Sequence, residues 1–250
     1  MLITERKYGF FKSTHIYFFE DHFISNIPDC DVVTYHTYKN MGIIKGFDRI
    51  HCLTTTIDLN QEIDLIWKKI KRQHKRHILR AEKSGTKVVV SNKYEDFYEI
   101  YKKFHKEKNY TNLFGLNIFP LQFIQKFGII FIAENQGEIL GGSLFFYDDK
   151  NSLLMSIPHK TFGNSIDKNK QISDANCYTQ WEAMQYFKNL GITNFDFGGL
   201  GNGEKIHPMY GLDYYKRSFG GDVISQYDYV KFNSRFNKFL FRFIESFNAP

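Results

Sequence analysis

Hydrophobic and polar positions along this chain follow two different periods. Near the N-terminus, His15 to Phe19, Val32 to Tyr38 and Ile50 to Ile57 are short runs rich in β-branched and aromatic residues, which predicts strands. Pro28-Asp29 and Asn40 to Gly42 supply turns, and Thr54, Thr55 and Thr56 fit an exposed edge. The period then changes. Ile63, Ile66, Trp67, Ile70, His74, Ile78 and Ala81 recur at helical spacing, predicting one long helix capped by Asp58 or Asn60 and stopped at Ser84-Gly85. Thr86 to Val90 reads as a strand, Asn92 to Asn109 as a helix, and Leu121 to Phe127 as a short helix after Pro120. A meander follows: Ile129 to Glu134, Ile139 to Tyr147 and Ser152 to Pro158, with turns at Asn135 to Gly137 and Asp148 to Asn151. Asp174 to Leu190 predicts a helix with Gly191 as its C-cap. A strand (Ile192 to Phe197), a helical turn at 210–217 and a last strand (Val223 to Val230) complete the pattern. In the tail, Phe232, Phe236, Phe239, Leu240, Phe243 and Phe247 form one stripe. That stripe reads as a helix docked on its own domain, or as one lying at a membrane interface.

Composition narrows the classes. At 250 residues the chain suits one large domain or two small ones. Its 33 Lys+Arg against 27 Asp+Glu make it mildly basic, which suits a phosphate-bearing ligand but does not by itself argue for nucleic acid. The expected long helix concentrates that charge on one face, in Lys68, Lys69, Lys71, Arg72, Lys75, Arg76, Arg80 and Lys83. Such a face either receives a phosphate or an RNA, or is simply solvated. Cys30, Cys52 and Cys177 are isolated and odd in number, which argues against a disulfide framework and for a reducing, cytoplasmic setting. The His residues are scattered, without metal-ligand spacing. There is no signal-peptide pattern, and no apolar run approaches roughly 18 residues, so no membrane span is expected.

Chemistry collects in one stretch. Gly198-Gly199 and Gly220-Gly221 flank a polar, glycine-rich loop that ends in Tyr214, Tyr215, Lys216 and Arg217. Glycine pairs let backbone approach backbone or ligand closely, so the stretch reads as a site, or as a hairpin with ordinary turn glycines. Asp196 alternates with Phe195 and Phe197 and faces away from them; it either serves an amine or bonds the backbone of the glycine turn. His207 is a candidate base or a solvated loop residue.

From residue 86 the order strand, helix, helix, three meander strands, helix, strand, loop, strand resembles the Gcn5-related N-acetyltransferase (GNAT) fold. LIWKKIKRQHKRHILRAEKSGTKV (65–88) is similar to the Trp-containing basic helix of the Fem branch of that superfamily. Asn176 to Trp181, Ala183, Gly191, FDFGG (195–199) and YYKRSFGG (214–221) resemble its second half. The resemblance covers about residues 54–228. It implies a mixed α/β (α+β) fold, a mostly antiparallel sheet flanked by helices. It also implies a truncated N-terminal GNAT-like lobe (1–84) before an acyltransferase lobe (85–250) that ends in a docking helix.

Two departures refine this. Fem peptidyltransferases carry two nearly equal lobes and often a coiled-coil arm, whereas residues 1–84 are too short for a full lobe. The chain instead looks like compact Fem-like enzymes of surface-polysaccharide pathways (lipopolysaccharide O-antigen or capsule), which N-acylate amino sugars carried on a nucleotide. The usual acetyl-CoA loop is also missing, and GNSIDKNKQISDAN (163–176) stands in its place.

The resemblance implies an acyl-CoA co-substrate, acetyl-CoA or 3-hydroxybutyryl-CoA; from the scattered His, no metal is expected. It places strands 152–158 and 192–197 apart at their C-terminal ends, with a backbone N–H near Ser156 or Ile157 facing the oxyanion. The helix expected to start near Asp174 would bind a diphosphate, helped by Ser173, Asn176, Lys168 and Lys170. Lys216 matches the family's lysine and would bind a phosphate or stabilise the oxyanion. Tyr178 and Tyr215 would stack on a base or donate to the thiolate, or belong to the core; Asn176, Gly199 and Arg217 complete the acceptor side. The alternatives are an aminoacyl-tRNA-dependent transferase of cell-wall type, using the basic helix for RNA, and a non-catalytic GNAT shell.

Overall fold

A computed structural model describes residues 1–8, 11–20, 29–108, 119–160, 165–201 and 210–234, with 236, 238 and 239. Among them, ten strands form one sheet. They are β1 (Leu2–Tyr8), β2 (Phe11–Tyr17), β3 (Val32–Thr37), β4 (Asp48–Asp58), β5 (Lys87–Ser91), β6 (Ile129–Asn135), β7 (Glu138–Tyr147), β8 (Asn151–Ser156), β9 (Asn194–Leu200) and β10 (Asp222–Phe232). The order across the sheet is β1-β2-β3-β10-β4-β9-β8-β7-β6-β5. Pairing is antiparallel except for β2/β3 and β8/β9. The helices are α1 (Ile63–Lys69), α2 (Arg72–Lys83), α3 (Tyr94–Glu107), α4 (Leu121–Phe127), α5 (Ile166–Asn189) and α6 (Tyr210–Arg217). The mixed, mostly antiparallel sheet flanked by helices is the expected architecture. Strand β10, from late in the chain, inserts between β3 and β4, so both ends of the sequence share one sheet.

Strand alternation decides which helix covers which face. Phe131, Phe145, Phe195 and Phe197 pack with Met184 and Phe187 of α5. Ile130, Ile132, Leu144 and Phe146 point the other way, against Phe97 and Tyr101 of α3 and Phe123 and Ile124 of α4. A sheet covered on both faces needs apolar residues at successive positions, which is why β6 and β7 read as nearly continuous apolar runs. Burying such a Phe or Leu contributes about 1.5–3 kcal/mol each.

Three expectations are corrected here. Thr54, Thr55 and Thr56 do not form an exposed edge: β4 lies between β10 and β9, and all three are buried. Neither Asp58 nor Asn60 caps the first helix. Its N-cap is Glu62, without a side-chain bond, while the Asp58 carboxylate accepts from the Asn60 N–H at 2.9 Å. The long helix is also two helices, broken at Ile70 and Lys71, which both adopt extended ψ values of 132° and 145°. Of the tail stripe, Phe232 ends β10, Phe236 and Phe239 are exposed, and Leu240, Phe243 and Phe247 lie outside the described residues.

The break has a tertiary cause. The Lys71 N–H leaves the helical ladder and donates to the Ser218 carbonyl at 2.9 Å, just past α6. Gly220 presses on the same place: with φ of +81°, a Cβ built there would lie 2.4 Å from the Lys69 carbonyl oxygen. Gly220→Ala therefore combines a left-handed backbone with a backbone clash, and should cost about 2–4 kcal/mol in urea unfolding. Gly85 has a similar φ but open space around it, so Gly85→Ala should cost about 1 kcal/mol. Equal costs would show that the contact with α1 is not what requires Gly220.

Candidate active site at the splayed strand pair

Parallel pairing between β8 and β9 covers only Asn151↔Asn194, Ser152↔Phe195 and Leu153↔Asp196. Beyond it, Leu154 and Ser156 pair with β7 alone, and Gly199 and Leu200 pair with β4 alone. The two strands diverge, as expected.

A bulge in β9 accompanies the divergence. Thr56 pairs with Asp196 but Thr54 pairs with Gly199, so β9 carries one extra residue across this step. Gly198 takes φ +74°, which a side chain would strain, and a Cβ there would meet the Leu154 carbonyl at 2.8 Å. Asp196 holds the bulge together. Its Oδ1 accepts from the Gly198 N–H at 2.7 Å and from the Thr54 hydroxyl, and its Oδ2 accepts from the Tyr38 hydroxyl at 2.7 Å. Burial raises the Asp196 carboxyl above the usual range; the bonds from Thr54, Tyr38 and Gly198 and the Lys216 charge oppose that without overcoming it. Burial and the adjacent Asp196 likewise push the Tyr38 phenol far up.

Lys216 reaches the bulge from α6. Its Nζ donates to the Gly199 carbonyl at 2.6 Å and the Gly198 carbonyl at 3.2 Å. The side chain is 7% exposed. Burial pulls the ammonium down to about 8, against the attraction of Asp196 and Asp213. Asp213, also buried, accepts from the Gly201 N–H at 3.0 Å. The FDFGG and YYKRSFGG pieces thus meet: Asp196 takes the N–H of Gly198 and Lys216 takes its carbonyl.

The helix beside the cleft starts earlier than expected. α5 begins at Ile166 with Ser165 as its N-cap, whose side chain accepts from the Lys168 N–H. Asp174 therefore lies two turns inside the helix, and the expected anion site at a start near Asp174 is corrected. Asp174 is buried and accepts from Arg80 Nε at 2.9 Å, from Arg80 Nη2 at 2.6 Å and from His77 Nδ1 at 2.5 Å, tying α5 to α2. Ser173 is exposed and donates its hydroxyl to the Asn169 carbonyl at 2.9 Å. Lys168 pairs with Glu138, and Lys170 is exposed.

The other expected residues fall as follows. Tyr215 donates its hydroxyl to the Asn176 carbonyl at 3.1 Å, joining α6 to α5, and burial raises its phenol well above the ordinary value. Tyr178 is half-buried, and burial together with Glu182 and Glu82 pushes its phenol to about 12. Gly199 offers its carbonyl to Lys216. Arg217 is half-buried, and Ile157 is half-buried against the core under α5. His207 lies outside the described residues.

Several partners were not legible in the chain. Tyr38 and Thr54 reach Asp196 from 158 and 142 positions away, with no local signal. His105, on the last turn of α3, lies with its Nε2 3.1 Å from Ser156 Oγ. It follows Tyr101 by one turn on the buried side of α3, so its spacing alone points to packing rather than to a site.

A scan against protein-family models and a search of curated proteins both return no match. Among solved structures the chain is similar to FemX, with a TM-score of 0.62 and 13% identity, covering 97% of this chain and 86% of that one. It is similar to the C-terminal domain of a protein from Agrobacterium fabrum named for lysylphosphatidylglycerol synthetase, with a TM-score of 0.61 and 13% identity over 96% of this chain and 83% of that one. L-PGS from Bacillus licheniformis gives a TM-score of 0.56 and 14% identity over 99% and 86%. Identity this low speaks to architecture alone: the chain has a GNAT-like α/β fold of the FemX kind.

Proposed function

We propose that this protein is an N-acyltransferase that moves an acyl group from acyl-CoA to the amine of a nucleotide-linked amino sugar, in the synthesis of a surface polysaccharide. The observation that carries the reading is the β8/β9 divergence with the Lys216 ammonium at its apex. Past Leu153 the β9-facing edge of β8 has no strand partner, so its amides are available to the amides of an acyl-pantetheine arm. A backbone N–H near Ser156 or Ile157 would face the oxyanion, with Lys216 supplying positive charge to it or to a phosphate. Asn176, Tyr178, Tyr215, Gly199 and Arg217 would line the acceptor side, and Asp196 would hold the bulge that aims these groups.

A second reading, transfer from an aminoacyl-tRNA, is favoured by one observation. Lys68, Lys69, Lys71, Arg72, Arg76 and Lys83 are exposed on α1, α2 and their junction. This surface continues to α6, where Lys71 Nζ lies 4.6 Å from the centre of the Tyr214 ring. The names of the similar structures, FemX and lysylphosphatidylglycerol synthetase, also fit this reading.

The test is to incubate the protein with acetyl-CoA or 3-hydroxybutyryl-CoA and a panel of dTDP- or UDP-amino sugars while following free thiol. Thiol release with one pair is the expected result. No release with any pair, together with tRNA binding that weakens steeply as salt rises, would move the conclusion to the second reading.

A further inference from the structure

Ser156 ends β8 at the point where β9 has already left it. In a regular hairpin it would share the face of Leu154, which is buried in the core under α5. An extra residue turns it over. Leu154 pairs with Phe145 but Ser156 pairs with Leu144, so Met155 forms a bulge. Ser156 thereby joins the Leu144 face, which α3 covers. There its Oγ lies 3.1 Å from His105 Nε2, and the Tyr101 ring sits 4.3 Å from the imidazole. Both residues of the pair are half-buried rather than sealed in the core, and the Ser156 hydroxyl lies at the end of β8 past the last β9 pair.

We propose that Ser156 is a catalytic residue that relays protons during acyl transfer, with His105 as the positioning residue behind it. This rests on the transferase reading above, but not on which donor is used. As the acceptor nitrogen forms its bond to the acyl carbon, its proton passes to Ser156 Oγ while the Ser156 hydroxyl proton passes to His105 Nε2. Collapse of the tetrahedral adduct breaks the bond to the leaving sulfur of a thioester, or the leaving oxygen of an ester. The imidazolium proton then returns through Ser156 to that atom, so no proton is gained or lost. The relay requires an imidazole that is neutral at rest, with its lone pair on Nε2 and its hydrogen on Nδ1. Burial favours the neutral ring by lowering the His105 pKa to about 4.

With whichever donor turns over, Ser156→Ala and His105→Gln should each lower kcat on the order of 100-fold, leaving KM nearly unchanged. Ser156→Thr should recover much of the loss, because it restores the hydroxyl. Wild-type kcat in both the alanine and glutamine variants would overturn the relay while leaving the transferase reading intact. A measurement without turnover settles the same point: nitrogen NMR of His105 should show the Nδ1–H tautomer and titration near pH 4. An Nε2–H ring, or one charged at pH 7, would overturn the relay even if no donor were found. A wild-type protein that transfers from no donor would sink the transferase reading separately.

Discussion

Lys216→Met should lower kcat on the order of 100- to 1,000-fold with only a small change in thermal stability. That is the range seen when one preorganised donor to a developing oxyanion is removed. Methionine keeps the apolar stem and much of the volume of the side chain, so the packing of α6 on β9 survives. Two stability effects oppose each other. The Gly198 and Gly199 carbonyls lose a charged donor, but a costly buried charge disappears as well. The pH dependence separates charge from packing. Lys216 loses its proton near pH 8 in the folded chain and near 10.5 when unfolded. A rate that needs the ammonium therefore falls as pH rises through about 8, and the methionine variant should lack that limb. Stability runs the other way. Between these two values the unfolded chain binds more protons, so the wild type becomes more stable as pH rises, and the variant does not. A wild-type rate in Lys216→Met would remove this residue from the chemistry and leave it a structural tie.

Asp196→Ala should be the most destabilising substitution at the site, by about 3–5 kcal/mol. Three donors converge on this carboxylate: the Thr54 hydroxyl, the Tyr38 hydroxyl and the Gly198 N–H. Alanine leaves all of them without an acceptor, and each buried orphan costs about 1–3 kcal/mol. In a chain of this size the loss lowers Tm by on the order of 10 °C. Asp196→Asn keeps one acceptor oxygen and removes the buried charge, and should recover part of the loss. The informative result is the ratio of activity to stability. Inactive protein at a temperature where Asp196→Ala is still folded means that the bulge, not only the fold, is needed to aim Lys216. Full activity under those conditions would confine Asp196 to holding the strand.

How much of this was legible in the chain varies with how local the cause is. The meander was readable because its turn residues and its β-branched and aromatic runs impose their own geometry. Asp196 was readable as facing opposite to Phe195 and Phe197, since strand alternation needs nothing beyond the strand. The start of α5 lies two turns before the expected one because most of Ile166 to Ser173 is polar and only Ile172 is buried there; a helix capped by Ser165 and held by its later turns needs no apolar stripe in its first turns. The α1/α2 break was invisible for a related reason: the apolar spacing runs straight through Ile70, which is buried in both the expected and the observed arrangement. Only the Ser218 carbonyl and Gly220, about 150 positions later in the chain, compete for the backbone at that point.

By itself the sequence determined the mixed sheet, the two glycine-flanked pieces and the candidacy of Asp196 and Lys216, because period, turn chemistry and motif order are local properties. The tertiary structure alone decided that β9 bulges at Gly198, that Tyr38 and Thr54 close on Asp196, and that a bulge at Met155 turns Ser156 toward His105. A bulge follows from how two strands are forced to register against a common core. No residue announces that on its own, since its cause lies in the partner strand.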